Sequence, residues 1–357
     1  MSDIYFLDTR LRAMRAKLLS RRDYERILAL PDLSGVVSAL RESPYGRSID
    51  SVGGGTAEVA RIEEALRRDF SEALSRLRAI SSGDCGEAVR FVLGRWELQA
   101  VKTVVRGKAV GASAGEILSA LVPTGLHDEA ALEEMCRQPD LRALANLLVT
   151  WREPWGPPLL RALNEYREPR ELHLLESALD RSWFRQAEDR LRSIRPPGPG
   201  PDGEEALSLF VSLSVDTTNL LTALNAVEER IVMADRGRHF LPGGRILERN
   251  AFDRILASPT LAEALVEASV SLFRRPLAAL PSPSAEIPFL AVVERAVDRV
   301  PLRAFRALFR IDPLGWGALV SYLLDKLREV RNLRTIVRAK LVDLPEADLD
   351  RLLILDY

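Results

Sequence analysis

Apolar residues return every third or fourth position along most of the chain. Val59, Ile62, Leu66, Phe70, Leu74, Leu77 and Ile80 form one such series. Leu172, Leu175, Leu179, Trp183, Ala187, Leu191 and Ile194 form another. Steps of three and four place a single stripe down one side of a helix, so both stretches predict long amphipathic helices. No run of strict alternation is long enough to predict a strand. Pro and Gly gather at 51–56, 154–158, 196–203 and 281–288, which predicts loops there. The expected fold class is all-α.

Comparing the chain with itself adds more. Leu-Pro-Asp-Leu at 30–33, Gln-Pro-Asp-Leu at 138–141 and Ser-Pro-Thr-Leu at 258–261 each open an apolar i, i+3, i+4, i+7 stripe. The prolines, Pro31, Pro139 and Pro259, predict helix starts and stand 108 and 120 residues apart. A second helix recurs as Glu97-Leu-Gln-Ala-Val-Lys-Thr103, Asp216-Thr-Thr-Asn-Leu-Leu-Thr222 and Glu329-Val-Arg-Asn-Leu-Arg-Thr335, at steps of 119 and 113. An acid, then Ala100, Asn219 or Asn332 at +3, an aliphatic at +4 and Thr at +6 hold in every copy. Its tail reads Arg106-Gly-Lys-Ala in the first copy and Arg338-Ala-Lys-Leu in the third, and Arg15-Ala-Lys-Leu18 looks like a further copy. Two motifs with nearly one period predict three homologous helical domains, 1–125, 126–245 and 246–357. Repeats of this size suit globular bundles better than a solenoid, whose repeats are about 20–50 residues long. Three bundles around an axis would enclose a depression fit for a shaft or a ring.

Composition narrows the function. Lys plus Arg is 50 against 51 for Asp plus Glu. That balance argues against a protein built around nucleic acid. Five basic residues are Lys and the rest Arg, whose planar forks favour bidentate pairs with carboxylates between helices. Cys85 and Cys136 lack metal-site spacing and are read as free thiols. The opening Met-Ser-Asp-Ile is not a signal peptide. No apolar run is read as reaching the roughly 18–20 residues of a bilayer span; 317–324 is among the longest.

Catalytic signatures are absent from the pattern. There is no P-loop, and Gly53-Gly54-Gly55 reads as a turn. His127, His173 and His239 sit in no His-Glu-x-x-His arrangement, so no metal or cofactor is expected. Glu97, Asp216 and Glu329, with Asn219 and Asn332 on the same helix face, read as buried caps or interhelix hydrogen bonds rather than as catalytic groups. One catalytic site rarely needs three copies. Leu241-Pro-Gly243-Gly244-Arg245 has two readings: a linker turn between domains, or a loop presenting Arg245 to a partner.

Asp312-Pro-Leu-Gly-Trp-Gly-Ala-Leu-Val-Ser-Tyr322 running into Glu329-Val-Arg-Asn-Leu-Arg-Thr-Ile-Val-Arg-Ala-Lys340 resembles the C-terminal pattern of the C subunits of archaeal and bacterial A/V-type rotary ATPases. That is the family of the eukaryotic V-ATPase d subunit. The loop from Phe240 to Arg245 and the segment from Tyr5 to Leu18 look similar too, so the resemblance spans the chain. It implies a non-catalytic central-stalk component, monomeric in isolation and present once per complex. It implies three helical domains in a pseudo-threefold, funnel-like arrangement, peripheral on the cytoplasmic face of the membrane. Its implied partners are the D–F axle and the proteolipid ring, between which it passes torque, with no membrane span of its own. The competing readings are a helical scaffold of another complex and an all-helical enzyme.

Overall fold

The computed structural model describes residues 2–53, 57–122, 124–168, 171–194, 202–231, 239–311 and 315–355. The glycines expected to turn at 54–55, most of the 196–203 loop and the start of the family-like stretch at 312–314 lie outside them. The described secondary structure is helical, without strands.

The helices fall in chain order into a recurring set: three short, then two long. The first set is α2 (Arg21–Leu28), α3 (Leu33–Arg41), α4 (Gly46–Asp50), α5 (Glu58–Ala79) and α6 (Gly83–Ala109). The second is α8 (Glu129–Arg137), α9 (Leu141–Thr150), α10 (Gly156–Ala162), α11 (Leu172–Leu191) and α12 (Asp202–Glu228). The third is α13 (Arg249–Ala257), α14 (Leu261–Ala268), α15 (Ser271–Ala278), α16 (Phe289–Ile311) and α17 (Trp316–Leu341). α1 (Ser2–Arg15) precedes the first set, α7 (Ala114–Ala120) follows α6, and α18 (Glu346–Leu352) follows α17. The final long helices have 27, 27 and 26 residues.

The second short helix of each set begins the same way. Asp32, Asp140 and Thr260 accept from the backbone N–H three residues on, and the prolines 31, 139 and 259 stand one residue before them. Such a cap contributes about 1 kcal/mol by satisfying a donor that the helix leaves open.

By compactness the chain divides into two units: Met1–Ser81, Pro196–Ala206 and Ser269–Tyr357 form one, Ser82–Arg195 and Leu207–Ala268 the other. In the first, α17 packs against α1, α3, α5, α16 and α18. Leu333, Ile336 and Val337 of α17 share one core with Tyr24, Ile27, Val36, Leu40, Tyr45, Ile49, Ile62 and Leu66. The last long helix of the chain thus completes the body begun by α2–α5. In the second unit α6 packs against α7, α9 and α11, and α13 against α14. Asp180 of α11 is buried and takes Arg95 Nη1 at 2.9 Å and Lys102 Nζ at 2.6 Å, both from α6. α6 thus packs onto helices of the second set as α17 does onto those of the first.

Two expectations change. Pro157 and Pro158 lie in the first turn of α10 rather than in a loop, a place where a missing N–H costs nothing. The segment Glu205–Glu228 within α12 is long and apolar enough to cross a membrane by composition, although its sequence pattern predicts no span. Of its most apolar window 61% is buried inside the protein, as in the core helix of a bundle.

Candidate functional site

The recurring acid on each long helix is buried, and each is the centre of a hydrogen-bonded knot. Glu97 accepts from Thr124 Oγ1 and meets His127 Nδ1. Asp216 accepts the backbone N–H groups of Arg245, Ile246 and Leu247 at 2.9, 3.1 and 3.0 Å. Glu329 accepts the Leu19 N–H, the Tyr45 hydroxyl at 2.7 Å and Lys326 Nζ at 2.9 Å. His127, Leu247 and Leu19 hold one position: each directly precedes the N-cap residue (Asp128, Glu248, Ser20) of a set's first short helix. The acid therefore ties the middle of a long helix to the start of the following set or, on α17, to the start of the first.

The residue at +3 adds a second tie. Asn219 donates to the Leu241 carbonyl and accepts from its N–H, both at 2.8 Å, 22 residues further along. Asn332 does the same to Ile354, at 2.9 and 3.1 Å and again 22 residues on. A side-chain amide that pairs both backbone groups of one residue replaces a strand-like bond where no sheet exists. Ala100 leaves the first copy without it, and Thr124 and His127 serve there instead. The threonines at +6 stay local: Thr103 and Thr335 donate to carbonyls one turn back, at 2.9 Å each, and Thr222 is half-buried on α12.

The loop singled out at 243–245 and the acid at 216 prove to be parts of one arrangement. A Cβ at Gly244 would stand 2.1 Å from Asp216 Oδ1, so only glycine lets the backbone come close enough to donate. Gly243 has φ +98°, in the left-handed region that glycine occupies without strain. The Arg245 side chain is exposed.

The electrostatics differ among the knots. Burial raises the Asp216 carboxyl above its ordinary value, although the three N–H groups oppose it. His127 Nε2 meets Glu153 at 3.1 Å. Burial works against its charge, yet the bonds to Glu153 and Glu97 outweigh burial and raise its pKa to about 10. Lys326 sits between Glu329 and Asp69, the latter at 2.7 Å. Burial disfavours its charge, and the two carboxylates outweigh that and raise its pKa. Burial raises Asp69 itself.

The helix tails explain the Arg-x-Lys recurrence. Arg106 pairs with Glu176 of α11, and Arg338 with Glu63 of α5 at 3.2 Å. Lys108 donates to the carbonyl of Cys136 near the end of α8, and Lys340 to those of Leu28 and Leu30 at the end of α2. Arg15 does something else: it pairs with Asp325 at 2.7 Å, donates to Ser321 at 3.0 Å and lies over the Phe309 ring. α1 is thereby fastened along α17.

Sequence reading missed Lys326, Tyr45 and His127. Lys326 stands three residues before Glu329, a spacing that could have flagged the pair; Tyr45 comes from a distant helix and had no such signal. Among the described residues no group of three or more His, Cys, Asp or Glu is placed to hold a metal ion.

Residues 7–352 match the family described as ATP synthase (C/AC39) subunit. The chain is 27% identical to the C subunit of the V-type ATP synthase of Deinococcus radiodurans, over 98% of this chain and 90% of that one. It is 25% identical to the C subunit of the A-type ATP synthase of Halorubrum lacusprofundi, covering 98% and 97%. With the C subunit of the A-type ATP synthase of Thermococcus onnurineus it shares 28% identity, covering 94% and 85%.

Proposed function

Because the chain belongs to the ATP synthase (C/AC39) subunit family and so is a component of an ATP synthase complex, we propose that it is the non-catalytic central-stalk part that couples the D–F axle to the membrane proteolipid ring. The observation that carries this reading is the set of buried carboxylate knots joining each long helix to the start of the next set or, on α17, of the first. A part that transmits torque has to resist twisting at its joints. Buried, multiply bonded carboxylates supply that resistance where flexible linkers would dissipate it. No turnover is required of such a part.

The three sequence repeats, 1–125, 126–245 and 246–357, are taken as three domains about a pseudo-threefold axis. The recurring helix order supports this, as does the way α17 completes the body of α2–α5. The loop at Gly243, Gly244 and Arg245 presents Arg245 to a partner; its glycine-dependent geometry and the exposure of that side chain favour the assignment. The protein sits peripherally on the cytoplasmic face, one copy per complex, and is monomeric alone.

An affinity pull-down of the tagged chain from detergent-solubilised membranes of its own organism, read by mass spectrometry, tests the reading. Recovery of the ring together with the D and F subunits is the expected result. Recovery of another complex, with the motor subunits present in the extract and absent from the bound fraction, would overturn it in favour of a helical scaffold.

A further inference from the structure

The first compact unit contains an open groove of about 770 Å³ walled by α2, α15, α16 and α18. One wall is basic: Arg275 from α15, Arg299 and Arg303 from α16. α15 carries no acid, and α16 carries none from Arg299 to Ile311. Among the described residues Arg275 and Arg303 have neither a hydrogen bond nor an ion pair. Arg299 donates to the Leu353 carbonyl at 3.1 Å. Burial, and then Arg303 one turn away, pull the pKa of Arg299 below its ordinary value, with Asp298 opposing.

The groove also has acids. Glu346 and Asp350 of α18 line it, and neither has an ion pair among the described residues. The other acid of the groove, Glu25, is already paired with Arg21 at 2.8 Å. Leu28, Pro276, Leu353 and Leu355 add an apolar lining. Arginines and carboxylates without ion pairs to one another thus line one groove together with apolar side chains.

We propose that this groove binds an ethanolamine phospholipid, its phosphate on Arg275, Arg299 and Arg303, its ammonium on Glu346 and Asp350, and the first part of its chains on the apolar lining. Guanidinium forks match phosphate oxygens, and a primary ammonium offers N–H donors to carboxylates. A choline headgroup has no such donors, and its preferred site is an aromatic cage; among the described residues no aromatic side chain lines this groove. A purely anionic headgroup would leave Glu346 and Asp350 facing like charge. The proposal rests on the reading that the protein works at a membrane surface. The two fail separately, because the pull-down above does not depend on lipid binding.

The test is calorimetric titration of the full chain with dihexanoylphosphatidylethanolamine below its micelle concentration, beside the choline analogue and inorganic phosphate. The ethanolamine lipid is expected to bind about tenfold or more tightly than the choline lipid, the equivalent of losing one good charged contact. Arg275→Glu with Arg303→Glu should abolish binding. Glu346→Gln with Asp350→Asn should bring the ethanolamine-to-choline ratio to about one while phosphate binding persists. Thermal melts establish that the variants fold, and Arg275→Gln alone, at an exposed side chain, serves should the double arginine variant not fold. Equal affinity for the two lipids, binding of phosphate alone, or binding indifferent to the arginines would overturn the proposal.

Discussion

Replacing Gly244 with alanine would set a carbon 2.1 Å from Asp216 Oδ1 and 2.9 Å from its Cγ. No pair of non-bonded atoms tolerates that approach, so either the carboxylate or the loop has to retreat. Asp216 is wholly buried and accepts from Arg245, Ile246 and Leu247. Retreat breaks at least one of those bonds. A hydrogen bond to a charged group contributes about 1.5–3 kcal/mol, so a cost of about 2–3 kcal/mol is expected. That corresponds to local opening about 30- to 150-fold more frequent. Hydrogen exchange followed by mass spectrometry reads it on the peptide holding residues 245–247, whose protection should fall by that factor. Gly243→Ala is the control: its new carbon finds only Glu188 Oε1, at 3.8 Å, so the cost is confined to placing alanine at positive φ, about 1 kcal/mol. In an Asp216→Ala background, Gly244→Ala should cost well under its value alone, because the colliding carboxylate is gone. Unchanged protection at 245–247 in a folded Gly244→Ala protein, or equal costs in both backgrounds, would refute the argument.

Lys326→Met should destabilise the protein by about 3 kcal/mol, since it leaves the buried Glu329 and the partly buried Asp69 without their cation; thermal melting measures this. Arg338→Ala, at a pair whose arginine is 57% exposed, should cost under about 1 kcal/mol in the same assay. The His127 pKa is raised in the folded state, so the stability it contributes is fully present below its unfolded pKa of about 6.5 and is lost as pH rises through about 10. Exchange protection around residues 124–128 should therefore weaken across that window and become flat in His127→Gln; an NMR titration placing His127 near 6.5 would contradict the reasoning. Asn332→Leu should release the backbone of Ile354 at a cost of about 1–3 kcal/mol and make the C-terminal residues sensitive to limited proteolysis.

Much of this fold was legible because it is periodic. The stripe from Val59 to Ile80 became α5, Glu58–Ala79, and the stripe from Leu172 became α11, Leu172–Leu191. The recurring Pro-Asp and Pro-Thr pairs marked starts, with the cap falling on the residue after the proline. A buried polar residue that recurs among the copies has to find partners each time, which is why the acid, and the Asn present in two copies, read as structural. Which partners could not be read. The Leu241 and Ile354 backbones lie 22 residues from Asn219 and Asn332, beyond any helical spacing, and Leu19 is 310 residues from Glu329. α12 was misjudged for a related reason. Asp216 and Asn219 interrupt its apolar run to the eye, yet the helix as a whole is apolar by composition, and those two groups are satisfied internally.

One turn of α17 grips two segments far apart in sequence: Glu329 holds Leu19 and Asn332 holds Ile354. On α12 the same two side-chain positions grip a single continuous stretch, Leu241 to Leu247. On α17 the two gripped segments are not joined to each other directly, whereas on α12 they are. Peptide continuity is then dispensable at this kind of joint. A protease cut placed between Leu241 and Arg245 should leave two fragments that migrate together on size exclusion and separate only in denaturant.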